Sequence, residues 1–312
     1  MNRGQLILRR LVQMIPVLFG ITLVVFALLQ LIPGDPATTM LGMQARPESI
    51  AALRQELGLD RPLWEQYLRY VSNVLTLDLG DSLKYRVSVA SLLGERLEVS
   101  LVLIVYSTLL MIAISLPLGI VSALRRDGLF DQVTRAALMV TMVTPAFWLG
   151  ILFLTWFSIK LRLFPVAGYG EGWQEHLHHL FLPALTIALS ITPLLVRALR
   201  TSILEAMSSD YVRTARAKGL REQIVVTSHV LRNALIPALT LLGLSVGYLL
   251  GGTVIIENVF SLPGAGKLLV DAISARDYPL VQSTTLVFAL LVILVNLLTD
   301  VVYTFLDPRV QL

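Results

Sequence analysis

A glycine-rich stretch, Ser261-Leu-Pro-Gly-Ala-Gly-Lys267, contains the residue types that cradle a nucleotide phosphate. A Walker A loop needs a glycine five residues before its Gly-Lys pair and a serine or threonine directly after the lysine. Those two positions hold Ser261 and Leu268. The spacing argues against a nucleotide site, and the chain has no H-E-x-x-H pattern for metal-assisted hydrolysis. We therefore predict no catalytic residues.

Three histidines, His176, His178 and His179, have the chemistry of metal ligands. A zinc site usually needs three or four ligands on a fixed scaffold. The nearby carboxylates are Glu171 and Glu175, and neither has an evident ligand spacing. We expect a solvated loop here and no metal site.

Asp300 lies near the end of the last apolar run, close to Asn296. An acid at membrane depth often marks a proton or ion pathway. A single acid at a helix end is more simply explained as an interface residue. A carrier driven by an ion gradient would more often show several buried charges and internal repeats. We find no convincing repeat, and we retain this class as the competing hypothesis.

The elements that must position these residues are predicted by composition. The chain has 312 residues, of which 55% are hydrophobic and 15% are charged, whereas soluble domains carry about 25% charged residues. This deficit predicts an all-α polytopic membrane protein, and it makes nucleic-acid binding a poor explanation of the net charge of +4. Runs long enough to cross a bilayer predict six transmembrane helices: Leu11–Ile32, Val99–Leu124, Ala136–Ile159, Leu180–Val196 (with its flanking residues), Ala234–Ile256 and Pro279–Thr299.

The distribution of arginine and lysine predicts the orientation. The N-terminus carries Arg3, Arg9 and Arg10 without an acid, and the connection 197–232 has seven basic residues against three acids. Basic connections stay on the cytoplasmic side, so both termini and this connection are predicted to be cytoplasmic. Residues 33–96 then lie outside, where Glu48–Leu57 and Pro62–Leu75 predict two short helices. An apolar face on the second helix predicts either packing within a small cap or a docking surface: Leu63, Trp64, Tyr67, Leu68 and Val71.

The longest charged interruption in the second half of the chain is Glu205–Pro237. Ser208 and Ser209 are candidate N-caps, and Gly219 is a candidate C-terminal cap. The helix between them has about ten residues, too few to be stable alone. We therefore predict that another surface holds it.

Proline and glycine punctuate the predicted membrane helices. We expect interruptions at Pro117, Pro145, Pro183 and Pro193. Gly243, Gly247 and Gly251 recur every four residues, which predicts close packing of the fifth helix against a neighbour. A contribution to a solute path is the alternative, with Asn296 as a further polar candidate.

Several motifs, spread in order over nearly the whole chain, resemble the permease subunits of bacterial ABC importers of the dipeptide/oligopeptide/nickel branch. They are Leu31-Ile-Pro-Gly-Asp-Pro36, Gln55-Glu-Leu-Gly-Leu-Asp-Arg-Pro62, Tyr211-Val-Arg-Thr-Ala-Arg-Ala-Lys-Gly-Leu220, Leu231-Arg-Asn-Ala-Leu-Ile-Pro237, Ile256-Glu-Asn-Val-Phe-Ser-Leu-Pro-Gly264 and Arg276-Asp-Tyr-Pro279. Where the general signature has Glu-Ala-Ala six residues before the glycine, this chain has Arg213-Thr-Ala215. The family's usual Glu-Ala pair stands earlier, at Glu205-Ala206.

The resemblance implies a type I importer permease fold in the bacterial inner membrane. Its divisions would be 1–32 (N-terminus and first helix), 33–96 (periplasmic segment), 97–307 (transmembrane core with coupling loop 201–232) and 308–312 (cytoplasmic tail). The short cytoplasmic helix would be a coupling helix that docks in a groove of an ATP-binding subunit. Its implied contact residues are Tyr211, Arg213, Thr214, Ala215, Arg216, Lys218, Gly219 and Leu220.

The implied partners are a homologous second permease, two ATPases, a periplasmic binding protein and membrane lipids. The chain itself would bind no cofactor, since ATP and magnesium belong to the ATPases. The implied solutes are di- or oligopeptides, with glutathione, nickel chelates and opine-like compounds as alternatives within the family. A membrane-embedded enzyme would be a third class, and it lacks a convergent catalytic set.

Overall fold

The computed structural model describes residues 3–31, 37–38 and 46–306, and helices dominate this part of the chain. The motif at 31–36 and the tail 308–312 therefore lie mostly outside the described residues, as does the side chain of Asp300. In chain order the helices are α1 Arg3–Leu31, α2 Pro47–Leu57, α3 Leu63–Leu75, α4 Val89–Leu124, α5 Leu129–Val143, α6 Ala146–Phe153 (continued by a π-helix, Leu154–Lys160), α7 Gly172–Ser208, α8 Asp210–Ala217, α9 Glu222–Ile224 (continued by a π-helix, Val225–Leu231), α10 Arg232–Val259, α11 Ala265–Ala275 and α12 Tyr278–Leu306.

Four helical stretches of the described chain are long and apolar enough to cross a membrane: Val89–Leu124, Gly172–Ser208, Glu222–Val259 and Tyr278–Thr299. The pair α5 and α6 counts as a fifth if its bend of 104° is included within one span. The apolar stretch described in α1, Val12–Ala27, is shorter. A polytopic all-α protein is thus confirmed, whereas the count of six spans stays a prediction.

The predicted third span, Ala136–Ile159, is not one straight helix. Helix α5 ends at Val143, and Thr144 and Pro145 are extended, with ψ of 122° and 135°. Proline disfavours helical geometry in the residue before it. At this break a carbonyl near the end of α5 still has a hydrogen-bond partner, because the hydroxyl of Thr144 donates to the Val140 carbonyl at 2.8 Å. The interruption predicted at Pro145 is therefore confirmed.

The other prolines named as interruptions lie inside continuous helices. Pro117 is within α4, and Pro183 and Pro193 are within α7. The expectation of a break at these three positions was wrong. A proline removes one backbone hydrogen bond, and packing against neighbouring helices can support the helix through that gap. In α7 both prolines are buried, so this support is present.

Two compact units divide the chain, and α7 is the centre of the larger one, which includes Ser100–Leu262. In the apolar part of α7, 67% of the residues are buried, compared with 28% in the apolar part of Glu222–Val259. Helices α5, α6 and α10 pack against it. Within this unit Glu257 is fully buried, and its carboxylate accepts a hydrogen bond from the Ser100 hydroxyl at 2.6 Å. Glu257 lies in the last turns of α10.

The second unit includes Gly4–Val99 and Pro263–Ile293. The two predicted short helices are present as α2 and α3, and α2 ends at Gly58 with φ of +68° as predicted. A buried cluster joins α4, α11 and α12 through Val89, Leu93, Leu268, Ala272 and Leu280. Buried Asp277 accepts hydrogen bonds from the Ser82 hydroxyl at 2.5 Å and from the Lys84 backbone at 3.1 Å. This carboxylate fixes the connection after α3 to the turn before α12.

The glycines of α10 differ in what surrounds them. An added Cβ at Gly243 would collide with the Thr299 side chain of α12, and one at Gly247 would lie 3.0 Å from the amide oxygen of Asn296. At Gly251 an added Cβ would meet nothing within 4 Å. Gly243 and Gly247 therefore allow α10 and the end of α12 to approach closely, and Gly251 has no such contact with the described residues.

We predict that Gly243→Ala lowers the thermal midpoint of the purified protein in detergent, because overpacking a filled interface costs about 1–3 kcal/mol. Gly251→Ala is the matched control and should leave the midpoint unchanged. The double variant Gly243→Ala/Thr299→Ala removes the colliding methyl and should recover most of the loss. Equal midpoints for Gly243→Ala and Gly251→Ala would contradict this packing.

Candidate functional site

The predicted short helix is present as α8, Asp210–Ala217, which has 8 residues. Ser209 occupies the N-cap position, but its hydroxyl does not cap α8. It donates instead to the Ala206 carbonyl at 2.6 Å, and the Ser208 hydroxyl donates to the Glu205 carbonyl at 2.8 Å. Both serines thus satisfy the carbonyl end of α7. Asp210 places a negative charge in the first turn of α8, which favours a helix start.

Gly219 ends α8 in the way the sequence predicts. Its φ is +74°, a conformation that favours glycine because it has no Cβ. The Gly219 amide donates to the Arg216 carbonyl at 2.9 Å, and the Leu220 amide donates to the Ala215 carbonyl at 3.4 Å. This pair of bonds is the Schellman arrangement. An added Cβ would meet none of the described atoms within 4 Å, so the backbone conformation, and not crowding by these atoms, favours glycine here.

One face of α8 is buried by the chain itself. Val212 is fully buried and Ala215 is 5% exposed. They belong to a cluster, called the anchor cluster below, which consists of Ala123, Leu199, Ile203, Ala206, Val212, Ala215, Val225, Val230, Ala234 and Ala238. Its members come from the ends of α4 and α7, from α8, from the π-helix after α9 and from the start of α10. On this side, α8 is therefore held by other helices of the same chain, namely those that contribute to the anchor cluster.

Ala215 was expected to permit the close approach of a partner subunit. Its burial in the anchor cluster places it on the opposite side, facing α7 and its neighbours. The other residues of the predicted site are exposed and form the outer face of α8 and its following turn: Tyr211, Arg213, Thr214, Arg216, Lys218, Gly219 and Leu220. The structure therefore brings seven of the eight predicted residues onto one accessible surface.

The basic residues of this surface differ in their partners. Arg216 donates two hydrogen bonds to Glu222, at 3.1 and 2.6 Å, and this carboxylate raises the pKa of Arg216 above its ordinary value. Arg213 lies 3.6 Å from Asp210. In the described part of the chain Lys218 has no ion-pair partner. Lys218 is thus the least neutralised cation of the outer face.

A buried ion pair lies beside the anchor cluster, and sequence reasoning missed it. Arg200, which follows the cluster residue Leu199 in α7, donates to both carboxylate oxygens of Asp131 at 2.8 and 2.7 Å. Asp131 is fully buried in the first turns of α5, and it also accepts from the Asp127 amide at 3.0 Å. Arg200 was counted only as an orienting charge. An acid followed by an apolar run was the available signal, but its partner is 69 residues away.

Two family models match the chain. That of the binding-protein-dependent transport system inner membrane component matches residues 115–312, and that of the N-terminal part of such membrane components matches residues 4–104. The chain is 38% identical to the dipeptide transport system permease protein DppB of Escherichia coli (strain K12), over 98% of each chain. It is 39% identical to the glutathione transport system permease protein GsiC of the same strain, again over 98% of each.

The chain belongs to the family of ABC importer inner-membrane permeases.

Solved structures agree with this at the level of the fold. The permease resembles a chain of the methionine ABC transporter MetNI in inward-facing conformations, with a TM-score of 0.56, 16% identity and coverage of 70% of this chain and 97% of that one. A chain of an amino acid ABC transporter with histidines gives a TM-score of 0.54 at 13% identity, covering 69% and 94%. The permease is thus a non-catalytic, multi-pass membrane component of an ABC transporter.

The histidines of the permease lie on a helix, so the expectation of a solvated loop was wrong. Helix α7 begins at Gly172, before His176. His178 is within hydrogen-bonding distance of the Leu163 carbonyl at 3.0 Å, and His176 stacks on Tyr169 with ring centroids 3.8 Å apart. Among the residues with described positions, no three His, Asp or Glu side chains form a group that could hold a metal ion.

A serine in α10 has the letters of a nucleophile motif, since Gly243-Leu-Ser245-Val-Gly247 reads G-x-S-x-G. The motif requires a sharp turn between a strand and a helix. Here it lies within a continuous helix, and the Ser245 hydroxyl donates to the Leu241 carbonyl at 2.7 Å. This context excludes a nucleophile elbow at Ser245.

We predict that Asp131→Asn destabilises the permease strongly, because removing one partner of a buried ion pair costs about 3–5 kcal/mol. The readout is the thermal midpoint in detergent. Asp210→Asn is the matched control, since the Asp210 side chain is 97% exposed and its ion pair is long. A midpoint for Asp131→Asn equal to that of the control would show that the Arg200 pair contributes nothing to stability.

Proposed function

We propose that the chain forms, with a homologous second permease, the translocation path of an ATP-driven importer for short peptides. In this proposal two ATPase subunits bind ATP and magnesium on the cytoplasmic side, and a periplasmic binding protein delivers the solute. The observation that carries the proposal is the exposed outer face of α8, which is held on a buried cluster shared by several membrane helices. Such a helix can receive a partner and pass a displacement to the rest of the subunit.

The coupling step follows from the packing of α8. Closure of the ATPases on ATP would move the docked helix, and α8 cannot move independently of the anchor cluster without exposing Val212 and Ala215. The ends of α4, α7 and α10 belong to the same cluster. They would therefore move with α8 as a rigid body, as in domain closure around a hinge.

The orientation is proposed from charge. Arg213, Arg216, Lys218 and Arg221 lie in the connection that contains α8, and an excess of basic residues marks the cytoplasmic side. With six spans both termini are on that same side. ATPase subunits would reach α8 from the cytoplasm, and residues 33–96 would face the periplasm.

The solute class is proposed from the relatives, which are named for dipeptide and for glutathione transport. Both are short peptides with a free carboxylate. Nickel chelates and opine-like compounds remain the family alternatives, and no observation in the structure favours them. Because binding proteins deliver the solute in this family, selectivity is expected to lie largely in that partner.

We predict that Gly219→Trp abolishes transport and weakens association with the ATPases, while the protein still inserts in the membrane. Gly219→Asn is the matched control, because asparagine accepts a positive φ and its side chain is small. It should retain most of the activity. Transport and ATP hydrolysis would be measured on purified complexes in vesicles. Normal coupled transport by Gly219→Trp would show that this surface does not dock an ATPase.

The same vesicles separate the two transport classes. An importer of the proposed kind takes up solute only with ATP, the ATPases and the binding protein all present. A carrier driven by an ion gradient would continue without the ATPases and would stop when the gradient is dissipated. Uptake that persists after removal of the ATPases would overturn the proposal.

We predict that the partner binding protein binds di- or tripeptides more tightly than nickel chelates or opines. Titration calorimetry across a panel of these compounds measures this directly. In the vesicle assay, an excess of unlabelled ligand should then reduce the uptake of the labelled form of the ligand that binds most tightly. Selective binding of a nickel chelate would retain the transporter class and refute the peptide solute.

A further inference from the structure

Helix α3 has two faces of opposite character. Its apolar residues include Leu63, Trp64, Tyr67, Leu68, Tyr70, Val71, Val74 and Leu75. At 3.6 residues per turn these fall on one continuous side. Glu65, Arg69 and Asn73 fall on the other. The helix is therefore amphipathic, with aromatic residues on its apolar side and charges on its polar side.

Half of the apolar side packs on α1, within the same unit. The Tyr67 ring makes edge contacts with Phe19 and Phe26, with centroids 6.1 and 5.5 Å away. The Tyr67 hydroxyl is 2.8 Å from the hydroxyl of Thr22. These partners all belong to Val12–Ala27, the apolar stretch of α1. Helix α3 thus lies against the part of α1 that must itself face hydrocarbon.

The depth of this contact is considerable. Phe19 precedes Ala27, the last residue of the described apolar stretch, by eight residues, which is about 12 Å along an α-helix. A water-exposed cap would contact only the polar end of α1, where Gln30 does donate a hydrogen bond to Gln66 of α3 at 3.4 Å. The sequence allowed such a cap or a docking surface for a protein, and the contacts with Phe19 and Thr22 place α3 deeper than either requires.

The other half of the apolar side has no cover within the described chain. Trp64 is 63% exposed, Leu68 57% and Leu75 79%. No residue of α3 is fully buried. Phe19, which contacts Tyr67, is itself 58% exposed. Exposed apolar side chains are therefore present on both α1 and α3, and the two helices are in contact through Phe19 and Tyr67.

We propose that α3 is an interfacial membrane helix and that lipid acyl chains cover Trp64, Leu68 and Leu75. An amphipathic helix with tryptophan and leucine on one side and charges on the other lies in the plane of the interface, with its apolar face about 5–10 Å below the headgroups. Glu65, Arg69 and Asn73 would then face the headgroups and water. Trp64 suits this position because its indole has both apolar surface and a hydrogen-bond donor.

Lipid is favoured over a protein partner by continuity with α1. A soluble protein that covered Leu68 would have to reach beside Phe19, at a depth where its backbone polar groups would lack hydrogen bonds. The proposal does not depend on ATP coupling or on the identity of the solute. It depends only on α1 lying in the bilayer.

The chain contains no cysteine, so single cysteines can be introduced without background labelling. Leu68→Cys reports the apolar side of α3, and Asn73→Cys is the matched control on the polar side. Each variant, as part of the full transport complex, would carry a nitroxide spin label in phosphatidylcholine/phosphatidylglycerol vesicles. Collisions with oxygen, which concentrates in lipid, and with a water-soluble nickel chelate measure the environment of each label.

We expect the label at position 68 to collide with oxygen and to be protected from the nickel chelate, with the converse at position 73. Strong nickel collisions at position 68 would show that α3 faces water and would overturn the proposal. Protection from both reagents would show that a protein subunit covers this face, and this too would overturn it. Wild-type transport by both labelled variants establishes that the helix is native.

Discussion

The contact of Val212 and Ala215 with the end of α7 is the interaction on which the functional surface depends. A helix of eight residues is not stable in water, because the cost of nucleating it exceeds what so few hydrogen bonds return. Burial of Val212 stabilises α8 by roughly the value of a buried valine, about 1.5–3 kcal/mol. The same contact fixes which face of α8 points outward. The same buried contact therefore stabilises α8 and determines which of its residues are exposed.

This arrangement also determines how a displacement of α8 is transmitted to the neighbouring helices. The anchor cluster contains residues from five helical elements, and half of its members are small alanine side chains such as Ala206, Ala215 and Ala234. Close-packed interiors transmit displacement because they have little free volume. The buried Asp131–Arg200 pair extends the same rigid region to α5, since Arg200 lies between cluster residues of α7. In the proposed coupling step, a displacement of α8 would therefore be passed to these helices.

Local backbone geometry was predictable from the sequence where it depends on a single residue. Gly58 and Gly219 end their helices with a positive φ, as their position after a short helical pattern predicts. Contacts that join distant residues were not predictable in the same way. The apolar run after Asp131 is a local signal of burial, but only the fold brings Arg200, its partner, within 2.7 Å of it. The burial of Glu257 was not predictable for a related reason, because its carboxylate accepts a hydrogen bond from Ser100 in another helix.

The exposed face of α8 limits how a partner can recognise it. Arg216 is held by Glu222, and Arg213 lies near Asp210, so two of its cations are partly neutralised before any partner arrives. Exposed ion pairs of this kind add little stability, but they reduce the charge that a partner encounters. Tyr211 and Leu220 are large apolar residues that remain exposed beside them. The proposed docking should therefore depend on the shape of Tyr211 and Leu220 and on the unpaired charge of Lys218, more than on a general attraction between a basic loop and an acidic groove.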